Sequence, residues 1–74
     1  MNFRGINLSG ANLTKANLTR TDLSHANLTG AILVGANLTE TNLTRSNLVD
    51  ANLTGTNLAN ARLAQANGLK RDSA

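Results

Sequence analysis

A large apolar residue recurs at every fifth position of this chain, from residue 3 to residue 63. Read in blocks of five from Met1, residues 1–65 form thirteen uninterrupted pentapeptides. We predict that the middle residue of each block lies in the core, because only that position is large and apolar in every block. These core residues are Phe3, Leu8, Leu13, Leu18, Leu23, Leu28, Leu33, Leu38, Leu43, Leu48, Leu53, Leu58 and Leu63.

The other positions of the block are also regular. The first is small in all but the two opening blocks, and the second is Asn except at Asp22, Ile32 and Arg62. Five of the six glycines occupy the fifth position, which predicts a turn residue with positive φ there. The other eight fifth positions are not Gly, so we expect a mixture of turn types.

A period of five excludes the ordinary regular elements. On an α-helix each residue turns ~100°, so a Leu at every fifth position spirals around the helix instead of forming a stripe. On a flat strand, successive leucines at this spacing point to opposite faces. One buried residue in five therefore requires a backbone that bends once per block, which predicts short extended segments joined by tight turns and stacked as a solenoid.

The recurring motif Ala-Asn-Leu-Thr-X resembles the pentapeptide repeat family, whose pattern is A(D/N)LXX. The resemblance covers residues 1–65 of the 74 in the chain. It implies an all-β fold, a right-handed quadrilateral parallel β-helix with one pentapeptide on each side. It also implies twenty residues per coil, about three and a quarter coils for a chain of this length, and an inward orientation of the first and middle residues of each block.

Stacking of residue n below residue n+20 makes further predictions. Columns of Asn side chains, such as Asn17, Asn37 and Asn57, are expected to form amide ladders from coil to coil. Arg20 and Glu40 are expected to form an exposed ion pair. The repeat is interrupted where Gly68 occupies a position due for Leu, so we expect a solenoid domain over residues 1–67 and a C-terminal tail over residues 68–74.

The composition gives no sign of catalysis. The four acidic residues are dispersed, there is no Cys, and His25 is the only His. We therefore expect a non-enzymatic protein with no cofactor and no metal site. No apolar segment approaches the ~18–20 residues of a membrane span, and the N-terminus lacks a signal-peptide pattern, so we expect a cytoplasmic protein without membrane contact. The Asn67-Gly68 pair is a deamidation motif.

A structural or protein-interaction module with an unknown protein partner accounts best for these features, because a solenoid offers flat faces and no pocket. Ile32 and Val34 are a possible partner contact, since both replace polar residues and are expected to point outward, with Val49 on the neighbouring side. The alternative is that they are scattered apolar surface residues without a function.

The ends of the solenoid predict self-association. Open ends expose apolar side chains and unpaired main-chain groups. We expect a homodimer or end-to-end stacking with Phe3 or Leu69 at the contact; the alternative is that charged tails and neighbouring molecules in a crystal merely cover the ends.

Three other functions are weaker alternatives. Some members of the family mimic DNA and bind type II topoisomerases, but the net charge here is +3, whereas mimicry requires an acidic surface. Basic residues are assigned to several sides, Arg4 and Arg45 to the first, Lys15 to the third and Arg20 to the fourth, so we expect no specific nucleic-acid binding. The grid of Asn and Thr on the fourth side leaves ice or mineral recognition open. The regularity of the repeats also leaves open a designed sequence or a fragment of a longer array.

Overall fold

A computed structural model describes residues 1–69 of the chain. This part contains no helix and no continuous strand, and it is organised by ten isolated parallel β-bridges that each join residue n to residue n+20. The first bridge joins Asn2 to Asp22 and the last joins Asn47 to Asn67. Twenty residues therefore form one coil, and each coil stacks on the coil before it. No helix in residues 1–69 is long and apolar enough to cross a membrane.

Each bridge lies at the second residue of a pentapeptide and is surrounded by main-chain hydrogen bonds. At the bridge of Asn7 and Asn27, the Leu8 amide donates to the Asn27 carbonyl at 2.7 Å, and the Asn27 amide donates to the Ile6 carbonyl at 2.8 Å. The Gly10 amide adds a third bond between the coils, to the Thr29 carbonyl at 2.8 Å. Because the extended segment is so short, each pentapeptide contributes one bridge instead of a strand.

A β-turn closes every one of the thirteen pentapeptides. The amide of the first residue of the next block donates to the carbonyl of the middle residue, as in the bond from Ala11 to Leu8 at 3.0 Å. The fifth residue has positive φ in all thirteen blocks, from 57° at Asn60 to 72° at Gly5. The expected mixture of turn types is therefore wrong: the eight fifth residues that are not Gly adopt the same left-handed region as the five that are, because the stacked coils hold them there.

The core is a column of middle and first residues. The middle leucines from Leu18 to Leu48 are buried, and Ala26, Ala31 and Ala36 complete the core between them. The middle residues nearer the two ends are partly buried against this cluster: Phe3, Leu8, Leu13, Leu53, Leu58 and Leu63. Complete burial of a Leu contributes roughly 1.5–3 kcal/mol, so the buried leucines of the second and third coils are the main source of stability.

The Asn side chains bond within their own block. In eleven of the thirteen blocks, the side-chain oxygen of the second residue accepts the amide two residues later, at 3.0–3.2 Å. Where the fourth residue is Ser or Thr after Asn12, Asn17, Asp22, Asn27, Asn37, Asn42 and Asn52, its hydroxyl donates to the same oxygen at 2.6–2.7 Å. Within residues 1–69 no hydrogen bond joins two Asn side chains, so the expected amide ladders are wrong. The Asn side-chain oxygen instead accepts the main-chain amide two residues later in its own block, as in an Asx-turn.

The repeat ends at a close approach of two main chains. A Cβ atom on Gly68 would lie 2.4 Å from the nitrogen of Val49, so only Gly fits at this point. Gly68 has a φ of 83°. Leu69 follows and is partly buried against the core. The expected tail over residues 68–74 falls beyond the described residues from residue 70 onward.

Candidate interaction faces

The twenty-residue coil divides the outer surface into four faces. The first face comprises residues 1–5, 21–25, 41–45 and 61–65, and the second comprises residues 6–10, 26–30, 46–50 and 66–69. The third face comprises residues 11–15, 31–35 and 51–55, and the fourth comprises residues 16–20, 36–40 and 56–60. Each face consists of stacked pentapeptides, so substitutions at equivalent positions can be compared directly between faces.

The second and third faces are almost free of charge. Across these faces, the described residues include only two charged side chains, Asp50 and Lys15. Glycines occupy most of the corners beside the third face: Gly10 and Gly30 before it, Gly35 and Gly55 after it. The third face is therefore a flat surface with little side-chain bulk at its edges.

The exposed apolar side chains of the middle coils lie on these two faces, which carry little charge. Ile32 is 38% exposed in the centre of the third face, and Val49 is 41% exposed at the corner between the second and third faces. Val34, which we also expected to point outward, is partly buried. The predicted contact pair therefore consists of one exposed residue and one half-buried residue, with Val49 as a third apolar group nearby along the coil.

The block that contains Ile32 lacks the hydrogen bond from the fourth-residue amide to the second-residue side chain, which most other blocks have. Its main chain is bridged normally, since the Ile32 amide donates to the Ala11 carbonyl at 2.8 Å. The Ile32 side chain has no oxygen, and the Val34 amide has no side-chain acceptor within residues 1–69. An apolar side chain thus replaces an Asx-turn at the middle of the third face. Local stability does not explain this replacement, because it removes a bond worth about 0.5–1.5 kcal/mol.

The first face carries the net charge of the coils. The bridge between Asn42 and Arg62 places Arg62 on this face, beside Arg4 and Arg45. The expected distribution, with only Arg4 and Arg45 on this face, is thereby corrected to include Arg62. Asp22 is the acidic residue of this face, so the first face has a net charge of +2. On the second and third faces, the charges of Asp50 and Lys15 cancel.

Hydrogen bonds hold the Asp22 carboxylate in its ionised form. The Ser24 hydroxyl donates to it at 2.7 Å and the Ser24 amide at 3.0 Å. These bonds, the hydroxyl first, lower the pKa of Asp22 below its ordinary value of 3.8, and the nearby Arg4 and His25 lower it further. His25 is exposed at the fifth position of the same block, where it faces solvent.

The predicted ion pair between Arg20 and Glu40 is confirmed. The Arg20 Nε atom lies 2.7 Å from the Glu40 Oε1 atom, and both side chains are largely exposed. The bond to Glu40 raises the pKa of Arg20. The first face has a corresponding pair in which the acceptor is uncharged: the Arg45 Nε atom donates to the Gln65 Oε1 atom at 2.6 Å. In both pairs a fifth-position side chain reaches the same position one coil later.

The sequence did not predict the hydroxyl groups at four first positions, of which Thr21, Thr41 and Ser46 are buried and Thr56 is partly buried. Thr41 and Thr56 occupy first positions and donate to main-chain carbonyls of the preceding coil, at 2.6 and 2.7 Å. Thr21 and Ser46 are also buried at first positions, but their hydroxyls have no partner within residues 1–69. The sequence showed that these residues were small, but it could not show which carbonyl each hydroxyl faces.

No cluster in the described residues has the form of a catalytic or metal site. Within residues 1–69, no three His, Asp or Glu side chains are grouped so that they could hold a metal ion. A shallow depression of about 420 Å³ is lined by residues 50–54 and Gly68. It adjoins the end of the described residues, and we assign no ligand to it.

The two predicted self-association residues lie at opposite ends of the stack. Phe3 is partly buried in the first coil, next to Met1, which is 77% exposed. Leu69 is partly buried at the other end, after the close approach of Gly68 to Val49. The chain itself therefore brings neither residue near the other.

A scan against protein-family models matches the pentapeptide repeats family in eight copies, over residues 1–30, 21–58 and 31–67. No curated protein sequence matches this chain.

Solved structures of two relatives are similar to this chain. One is a pentapeptide repeat protein from the thylakoid lumen of Arabidopsis thaliana, with a TM-score of 0.86 and 29% identity over 88% of this chain. The other is HetL from the cyanobacterium Nostoc sp. strain PCC 7120, described as involved in heterocyst differentiation regulation, with a TM-score of 0.82 and 38% identity over 92% of this chain. This chain spans 45% of the first relative and 35% of the second.

Proposed function

Because this chain belongs to the pentapeptide repeat family, we propose that it is a non-enzymatic protein-interaction module that binds a protein partner through its third face. Its scaffold in this proposal is the right-handed four-sided parallel β-helix of the family, with about three and a quarter coils. Rigid stacked coils suit this role, because the binding surface is already ordered before the partner arrives.

The observation that carries the proposal is the replacement of Asn by Ile32. The replacement removes a stabilising bond and exposes an apolar side chain at the centre of a flat face whose only charged side chain in the described residues is Lys15. Exposed apolar groups in a polar setting are typical of the centre of protein interfaces, where charged residues are depleted. Because Lys15 is the only charged side chain among the described residues of the third face, a partner that covers Ile32 has few charges to desolvate there.

Crosslinking can test which face meets the partner. A photoreactive residue is placed at position 52, directly above Ile32 on the third face, and separately at position 57 on the fourth face. Each Asn side chain accepts the main-chain amide two residues later, and Asn52 also accepts the Thr54 hydroxyl. In extracts of the cells that make the chain, we expect a specific crosslinked protein from position 52 and not from position 57.

A second pair of variants then tests Ile32 itself with the crosslinked protein in purified form. Ile32→Asn and Arg62→Asn both restore the family residue and an Asx-turn, one on the third face and one on the first. We expect Ile32→Asn to weaken binding severalfold and Arg62→Asn to leave it unchanged. Equal effects of the two variants, or crosslinks from the fourth face alone, would contradict the proposal.

DNA mimicry is not favoured by the surface. The described coils carry five basic residues against three acidic ones, and the first face is positively charged. We expect no inhibition of a type II topoisomerase by this chain. The expected cytoplasmic location stays a prediction, and one similar structure comes from a thylakoid lumen.

A further inference from the structure

Asn67 differs from every other asparagine of the chain in the residue that follows it. Asn60 precedes Ala61, Asn2 precedes Phe3, and the remaining asparagines precede Leu, whereas Asn67 precedes Gly68. A side chain after Asn obstructs attack by its main-chain nitrogen on the Asn side chain. Gly offers no such obstruction.

Two hydrogen bonds that restrain Asn47 are absent at Asn67. At Asn47, one coil below, the side-chain oxygen accepts the Val49 amide at 3.0 Å, and the next amide, that of Leu48, donates to the Asn67 carbonyl at 2.8 Å. Within residues 1–69 the Asn67 side chain has no such bond, the Gly68 amide has no acceptor, and the Asn67 side chain is exposed. Both reacting groups are therefore unrestrained by the described part of the chain.

We propose that Asn67 is a site of spontaneous covalent modification, at which the chain converts its own side-chain amide to a carboxylate. The Gly68 nitrogen loses its proton to solvent base and attacks Cγ of Asn67. A bond forms between this nitrogen and Cγ, the bond from Cγ to the amide nitrogen breaks, and ammonia leaves. Water then opens the five-membered imide at either carbonyl and gives aspartate or isoaspartate, so one water is consumed and one ammonia is released without any redox change.

The reaction depends on opening of the last bridge in the described residues. The Asn67 amide donates to the Ser46 carbonyl at 2.9 Å, and the bridge with Asn47 holds Asn67 in an extended conformation. Cyclisation requires a different main-chain rotation. Outer elements open locally at a much lower free energy than the whole fold requires, so the end of the stack can react while the middle coils stay folded.

The products change this end of the molecule. Either product adds a negative charge to the second face, where Asp50 is the only charged side chain in the described residues, next to exposed Val49. Isoaspartate also lengthens the main chain by one carbon just before Gly68. The close packing of Gly68 on Val49 leaves no room for a shifted chain, so isoaspartate should displace Leu69 from the core.

Peptide mapping by mass spectrometry after incubation of the folded chain at mildly alkaline pH tests the proposal. We expect the amide-to-acid mass gain in the peptide that contains Asn67 before it appears in any other peptide, with both aspartate and isoaspartate resolved by fragmentation. Asn67→Gln serves as the control, since a six-membered imide forms far more slowly, and this variant should stay unmodified. Gly68→Ala is unsuitable because its Cβ would clash with Val49.

A parallel incubation in denaturant separates sequence chemistry from structure. If Asn67 reacts in the unfolded chain but stays intact in the folded chain, the last bridge protects it and the proposal is wrong. Equal reaction at Asn47 and Asn67 in the folded chain would also overturn it. Reaction confined to Asn67 under native conditions, and slower than in denaturant, supports modification through local opening.

Discussion

The side-chain hydroxyl of Thr41 donates a hydrogen bond of 2.6 Å to the main-chain carbonyl of Leu18, twenty-three residues earlier. The same carbonyl also accepts the Thr21 amide at 3.1 Å, so it receives two bonds inside the core. Thr56 repeats the arrangement with Leu33. A first-position Thr thus joins two coils through a buried polar bond, in a core otherwise made of Leu and Ala.

Removal of the Thr41 hydroxyl should destabilise the chain, whereas removal of the Thr21 hydroxyl should not. Thr41→Val keeps the shape of the side chain but loses the bond to Leu18, so we expect the free energy of unfolding to fall by about 0.5–1.5 kcal/mol. Thr21 has no partner within residues 1–69, so Thr21→Val should raise the free energy of unfolding by roughly 1 kcal/mol. Urea unfolding followed by circular dichroism measures both. Equal losses in the two variants would show that the hydroxyl bond is not the cause.

Because the fifth residue has the same positive φ at every turn, replacing a Gly there should lower the free energy of unfolding, whereas introducing a Gly should raise it. Gly30 has a φ of 68°, and a Cβ at this position would meet no atom within 4 Å, so Gly30→Ala tests backbone conformation alone. We expect a loss of about 1 kcal/mol, because the left-handed region disfavours residues with a Cβ atom. His25→Gly, at a φ of 60°, should gain stability by a similar amount. Thermal unfolding measures both variants, and loss of stability in His25→Gly would contradict the argument.

Much of the fold could be predicted from the spacing and residue types alone. The five-residue period excludes helices and flat strands, and the motif identifies the family. The pairing of Arg20 with Glu40 follows from a coil of twenty residues. These features depend on periodicity, which the sequence displays directly.

The hydrogen-bond partners of the Asn side chains and the conformation of the turns could not be predicted, because the sequence does not show which of two available partners is nearer. The oxygen of Asn37 could meet Asn57 one coil above or the Thr39 amide in its own block, and the nearer amide prevails. Lys15 or Glu40 at a turn suggests a conformation other than that of Gly, yet the stacked hydrogen bonds impose one conformation on all. Local preference is overridden because each turn is fixed by the coil beside it.

The Asp22 carboxylate should make stability depend on acid pH. Its folded-state pKa is lowered, so its contribution is fully present above the ordinary value of 3.8 and is lost as the pH falls through the lower folded value. Asp22→Asn keeps an oxygen for the Ser24 amide, as in the other blocks, but cannot titrate. We therefore expect the wild-type chain to lose more stability on acidification than Asp22→Asn. Parallel pH profiles of the two proteins in urea unfolding would contradict this expectation.

Self-association through the ends is the last prediction. Phe3 and Leu8 are only partly buried in the first coil, whereas Leu23 and Leu28, directly above them, are buried. A second copy that covers the first coil would remove this apolar surface from water, so we expect the 74-residue chain to form dimers or longer stacks at rising concentration. Light scattering behind a sizing column measures the mass. A monomer at all concentrations would contradict the prediction.

Two substitutions can then assign the contact to one end. Phe3→Ala and Leu69→Ala each remove a side chain at opposite ends of the stack, and only the end that forms the contact should lower the association. Circular dichroism checks that each variant stays folded, because Phe3 also packs on the core. Ala59→Ser, at an exposed position of the fourth face, is the control that should leave association unchanged. If both end variants associate as the unmodified chain does, the contact lies on a face, and Ile32→Asn becomes the variant that tests it.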